Sequence, residues 1–107
     1  MINIQLDIFY LNEDGIFTAY CPALELSSYG SSVGDAQSAF DEALEIFLED
    51  TIQKGTLEKV LLKLGWTLKA IPKADFEPPK LKVNDIQKLS QNMIRGGTTR
   101  ITLPAYS

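Results

Sequence analysis

The stretch "IFTAYCPALELSSYG", residues 16–30, decides the fold. Its first six residues are β-branched, aromatic or small, the composition of a strand. Pro22 has no amide proton and so ends the regular ladder, after which "LELSSYG" alternates again and predicts a third strand. Working outward toward the N-terminus, "NEDG" at 12–15 carries turn chemistry, because Gly15 accepts positive φ and Asp14 can bond its neighbouring backbone. Before it, "INIQLDIFY" places Ile2, Ile4, Leu6, Ile8 and Tyr10 on one face and Asn3, Gln5 and Asp7 on the other, the period of a half-buried strand. These three segments predict an antiparallel meander.

Toward the C-terminus the period changes. Ser32 and Asp35 have capping-box spacing, with Asp in place of the usual Glu or Gln. Ala36, Phe40, Ala43 and Phe47 then recur at helical steps, Leu44 and Leu48 widen the stripe, and Asp41, Glu42, Glu45 and Glu49 take the other side. Lys54 and Gly55 mark the end of this helix. Thr56 is a candidate cap for a shorter helix lined by Leu57, Leu61 and Leu64 and closed by Gly65. "WTLKAI" reads as a fourth strand ending at Pro72, and Trp66 as a core residue rather than an exposed binding anchor. In "PKADFEPPKLK" the Pro78-Pro79 pair predicts an extended linker. A short helix in "VNDIQKLSQNMI", a break at Gly96-Gly97 and a terminal strand in "TTRITLPAY" complete the chain.

A chain of 107 residues, 45% hydrophobic, can build one core and not two. We therefore expect one α+β domain over residues 1–72 and a proline-containing linker with a helix and strand extension over 73–107. A strand delivered across such a linker completes a sheet on its own core or on a second subunit, so a homodimer or higher homo-oligomer is expected. The N-terminus has neither a basic leader nor a long apolar run, which leads us to expect a cytoplasmic protein with no membrane association. The lone Cys21 forms no internal disulfide, in keeping with a reducing compartment.

Charge is divided along the chain. The first 50 residues hold ten acids and no base, a balance of −10, whereas the remaining 57 hold ten bases and four acids, a balance of +6. An acidic half repels nucleic acid and attracts a basic partner across about one Debye length. Catalytic constellations are scarce. With no histidine, triads and imidazole metal sites are excluded within the chain. Cys21 has no neighbouring base in the sequence and reads as a buried structural thiol. "IRGGTTR" shares only its two glycines with a phosphate-binding loop. Asp7, Glu13, Asp14 and Glu25 could in principle hold magnesium or move a proton, but acids in turns and on polar faces are ordinarily solvated. No catalytic residue, cofactor or metal is expected.

"EDGIFTAYCPALELSSYG", the capping serine and the acidic, alanine-containing helix together resemble the N-terminal domain of HicB-like antitoxins. The residues that carry the likeness are Glu13, Asp14, Gly15, Tyr20, Cys21, Pro22, Leu24, Gly30, Ser32, Asp35 and Ala36. The likeness covers about residues 1–50, and "GTLEKVLLKLGW" less specifically. It departs where members commonly carry a Pro-Gly-Cys turn, here replaced by "ELS", residues 25–27. The resemblance implies a β-β-β-α-β core, a partial ribonuclease-H-like fold without nuclease chemistry. It also implies a partner, a small basic RNA-cleaving toxin of HicA type, bound and neutralised.

Glu13, Asp14, Tyr20 and Glu25 are the candidate partner contacts. Many members also repress their own operon through a C-terminal DNA-binding segment, for which Lys80, Lys82, Lys88, Arg95 and Arg100 are the candidate contacts here. The tail, however, is short of the strand and two helices that a ribbon-helix-helix repressor needs. The alternative to an antitoxin is a stand-alone, non-enzymatic regulatory or nucleic-acid-binding module on the same fold.

Overall fold

The hairpin predicted at "NEDG" forms with a two-residue loop. Strand β1 (Ile2–Glu13) turns at Asp14 and Gly15 into β2 (Ile16–Cys21), with Glu13 opposite Ile16. Both loop residues have positive φ, 54° at Asp14 and 84° at Gly15, the handedness that matches the strand twist. The Asn12 side-chain oxygen accepts from the Gly15 N–H at 3.0 Å. This is the computed structural model of the chain, and it describes residues 1–69 and 73–104.

A single 3-10 turn (Pro22–Leu24) follows, then β3 (Leu26–Gly30) and helix α1 (Val33–Gln53). Gly30 is dictated by close packing, because a Cβ there would lie 2.6 Å from the Ala36 nitrogen. The Ser32 hydroxyl accepts from the Asp35 N–H at 3.1 Å, as predicted. The carboxylate of Asp35 does not complete a capping box but takes the Ser31 hydroxyl at 2.6 Å. Helix α2 (Leu57–Lys63) buries Leu57 and Leu61, although Thr56 makes no side-chain cap.

The fourth strand of the main sheet is not the one expected from "WTLKAI". That segment contributes β4 (Thr67–Lys69), which pairs with β5 (Asp75–Glu77) as a separate two-stranded ribbon, while Ala70, Ile71 and Pro72 lie outside the described residues. Helix α3 (Val83–Asn92) leads directly into β6 (Met93–Leu103), which runs antiparallel to β1 of its own chain. Gly96 and Gly97 are thus strand residues and not a break. They lie opposite Phe9 and Ile8, beside the Phe9 and Tyr10 rings. The main sheet is four-stranded and antiparallel, in the order β3-β2-β1-β6.

Helix α1 packs on the face of β2 and β3 that carries the predicted apolar set. Leu6, Ile8, Tyr10, Ala19, Cys21, Ala36, Phe40 and Leu44 form one buried cluster with Leu57, Leu61, Trp66, Phe76, Ile101 and Leu103. Trp66 sits in the core as expected, donating its indole N–H to the Ala23 carbonyl at 2.8 Å. The extension expected after Pro72 is therefore built into the same core through Phe76, Ile101 and Leu103. No helix of the described residues is long and apolar enough to cross a membrane.

Candidate partner-binding surface

The two-residue hairpin loop fixes which side chains share a face. Since Tyr10 pairs with Ala19 in the core, Phe9 pairs with Tyr20 and Leu11 with Thr18 on the opposite face. Tyr29 pairs with Thr18, and Ser27 with Tyr20, so they join that second face. Helix α3 lies against β1 and β6, and its Asp85 and Lys88 reach Tyr20 on this side of the sheet.

The four expected partner contacts divide into two pairs. Glu13 and Asp14 stand exposed at the hairpin tip, where with Ile16, Thr18 and Tyr29 they line an open hollow. Ile16 and Tyr29 are more than half exposed there, at 56% and 63%, so the acids flank an apolar floor. Sequence inspection did not single out either residue. The signal that could have found them is the register, which places Ile16, Thr18 and Tyr20 on the face away from Ala19 and Cys21. Glu13 also accepts from the Asn92 side-chain amide at 3.5 Å, the only recorded hydrogen bond between the tip and the end of α3 among the described residues.

Tyr20 and Glu25 lie at the other end of β2 and are already engaged. The Tyr20 hydroxyl donates to Asp85 Oδ1 at 2.5 Å, and the Lys88 ammonium stands over its ring at 4.5 Å from the centroid. Burial first, and then the hydrogen bond to Asp85, pushes the Tyr20 phenol well above its ordinary value. Glu25 follows the 3-10 turn with φ 50°, the left-handed conformation that glycine usually supplies, and its N–H bonds Pro22 O at 3.1 Å. This is how "ELS" makes the turn into β3. Its carboxylate faces Lys82 Nζ at 3.6 Å. Tyr20, a candidate partner contact, is half-buried under the chain's own α3.

The five candidate nucleic-acid contacts do not form one stripe. Lys80 and Lys82 border a groove of about 290 Å³ that also includes Asp7, Pro22, Pro79 and Asp85. Lys88 covers Tyr20 on the α3 face, whereas the Arg95 guanidinium stands over the Tyr10 ring at 5.1 Å on the α1 face. Arg100 lies opposite Gln5. Two of the five border that groove together with Asp7 and Asp85, and two are stacked on tyrosines of opposite faces.

The remaining chemistry is limited. Cys21 is wholly buried, and burial pushes its thiol up, so it stays protonated and out of reach. Among the described residues no three acids or thiols converge as metal ligands. What the surface offers is acidic and aromatic groups arranged to receive cations. The chain matches no protein-family model, no curated protein and no solved structure.

Proposed function

We propose that this chain is a cytoplasmic, non-enzymatic binding protein: an antitoxin-like partner that captures and neutralises a small basic RNA-cleaving toxin of HicA type. In this reading the β-β-β-α core is a cut-down ribonuclease-H-like arrangement used for recognition. The observation that carries it is the seating of α3. Lys82 against Glu25 and Lys88 over Tyr20 display, within one molecule, how this surface takes cations presented by a helix. A basic partner would meet the open tip at Glu13 and Asp14 first and then compete with α3 for Tyr20 and Glu25. Repression of the chain's own operon would need a coherent basic face, and the dispersal of Lys80, Lys82, Lys88, Arg95 and Arg100 weighs against it, as it does against a stand-alone nucleic-acid module.

Co-expression with the product of the adjacent reading frame tests the proposal. A complex should form whose association slows as salt rises from low to physiological, since encounter is electrostatic. Neutralising the tip with Glu13→Gln and Asp14→Asn should slow association by about tenfold or more, whereas Tyr20→Ala should chiefly speed dissociation. A complex that forms equally well at high salt with Glu13, Asp14 and Glu25 all neutralised would refute it, as would the absence of any complex.

A further inference from the structure

Strand β6 is a basic strand at the edge of an acidic protein. Beyond Asp85 the chain contains no acid, and β6 carries Arg95 and Arg100. One side of it pairs with β1, and its other side has no partner strand among the described residues. At eleven residues it is about twice the usual strand length. In an antiparallel ladder alternate residues direct their N–H and C=O outward, so this edge is a ready template for pairing. The opposite edge, β3, has only five residues and packs beneath α1. No proline interrupts β6, and its one irregularity lies at the Met93 end, where the register against β1 shifts between Tyr10 and Leu11.

Alongside the free edge runs a groove between residues 99–102 of β6 and Asp41, Leu44, Glu45 and Leu48 of α1. Asp41 and Glu45 make no ion pair among the described residues. An occupant should therefore bring a backbone edge and a cation on the α1 side, and β6 of another copy has both.

We infer that two copies of this chain associate by antiparallel pairing of their β6 strands about a two-fold axis at Thr98, joining two four-stranded sheets into one of eight. The axis stands perpendicular to the sheet, which keeps the α1 helices on one face and requires paired residues to share a face. With Thr98 opposite itself, Gly97 meets Thr99, Gly96 meets Arg100, and Arg95 meets Ile101. The regular run 95–101 then pairs along its whole length, short of the irregular end. The arginines avoid each other, because the residue facing Arg100 is a glycine. Each Arg95, on the α1 face over Tyr10, arrives beside Ile101 of the other copy, where Asp41 and Glu45 flank the groove. The pairing uses the edge left free by the in-chain β1–β6 ladder, and it is independent of the toxin-binding reading.

Light scattering on the purified full chain should give twice the mass of one chain at micromolar concentration. Thr98→Cys, at an exposed position on the axis, should form a disulfide-linked dimer under mild oxidation, while Thr102→Cys should not. The buried Cys21 leaves the unsubstituted chain as a clean control. Arg95→Glu should weaken the dimer at least tenfold, and adding Glu45→Lys should restore it, with circular dichroism confirming that each variant is folded. A monomer at every concentration, with the edge left for a strand of some other protein, overturns the inference. So does a dimer that Thr98→Cys fails to cross-link.

Discussion

The two faces of the sheet are held by different physics. On the α1 face, Leu6, Ile8, Ala19, Phe40, Leu44 and Ile101 are buried among one another in a continuous apolar cluster. On the α3 face, Leu11 and Leu89 are buried outside that cluster, and the polar contacts between α3 and the β2 end of the sheet are a phenol, an ammonium and an exposed ion pair. Area removed from water holds the first face, at about 25 cal/mol per Å². Polar contacts of small net strength do much of the work on the second. The α1 face should therefore open only with global unfolding, and α3 should open locally below it, in keeping with its proposed competition with a partner.

The strongest way to break that contrast is to cut into the α1 face. Phe40 is fully buried, and Phe40→Ala should cost about 3–5 kcal/mol, a large part of the stability of a domain this size. Denaturant titration should show the midpoint falling steeply. A loss below about 1 kcal/mol would mean that α1 is no better anchored than α3. Gly30→Ala should follow at about 1–3 kcal/mol, since the new methyl would lie 2.6 Å from backbone of α1 and one of the two elements must shift.

The same contrast governs what could be read in the chain. The alternation of Ile2 to Tyr10, the Asp14-Gly15 turn and the Phe40 stripe encode the α1 face locally, through a period that matches each element. The α3 face leaves no such trace: Tyr20 and Asp85 are 65 positions apart, and nothing near either names the other. Strand β6 was half legible for a related reason. Its "TTRITL" part has strand composition, but Gly96-Gly97 imitates a break, and the strand that pairs across them is β1, at the far end of the sequence. The ribbon of β4 and β5 has three residues per strand, too few for a period to show. At the candidate site the acids of the tip were legible from composition, whereas the covering of Tyr20 and Glu25 by α3 was not.

Tyr20 sharpens the contrast at intermediate size. Tyr20→Phe removes the hydroxyl bonded to Asp85 and should cost about 1–2 kcal/mol, appearing as faster amide exchange in α3 with α1 unchanged. It should also act on the pH profile. The phenol's folded pKa is raised above its unfolded value near 10, so its contribution is fully present below about pH 10 and is lost as pH rises through the folded value. Cys21, raised by burial, gives a slope of the same sign that begins near its ordinary thiol value of 9.0. Stability should therefore fall on the alkaline side, with Tyr20→Phe reducing the upper part of the decline, to which Tyr10, raised by burial, also contributes, and Cys21→Ala reducing the lower part. A profile that Tyr20→Phe leaves unaltered would place the hydroxyl outside any hydrogen bond that matters.

The smallest effect on stability is expected from the pair between Lys82 and Glu25. Both side chains are more than half exposed, and at 3.6 Å in high dielectric such a pair is typically worth about 0–1 kcal/mol. A double-mutant cycle with Lys82→Ala and Glu25→Gln should return a coupling in that range, diminished further by salt. Binding should respond in the other direction. Lys82 is the cation that a basic partner must displace from Glu25, so Lys82→Ala should raise the association rate and leave fold and melting temperature nearly untouched, while Glu25→Gln should lower it. A coupling above about 2 kcal/mol would mean that the α3 face is held as firmly as the α1 face, and a partner could then reach Tyr20 only by unfolding the domain.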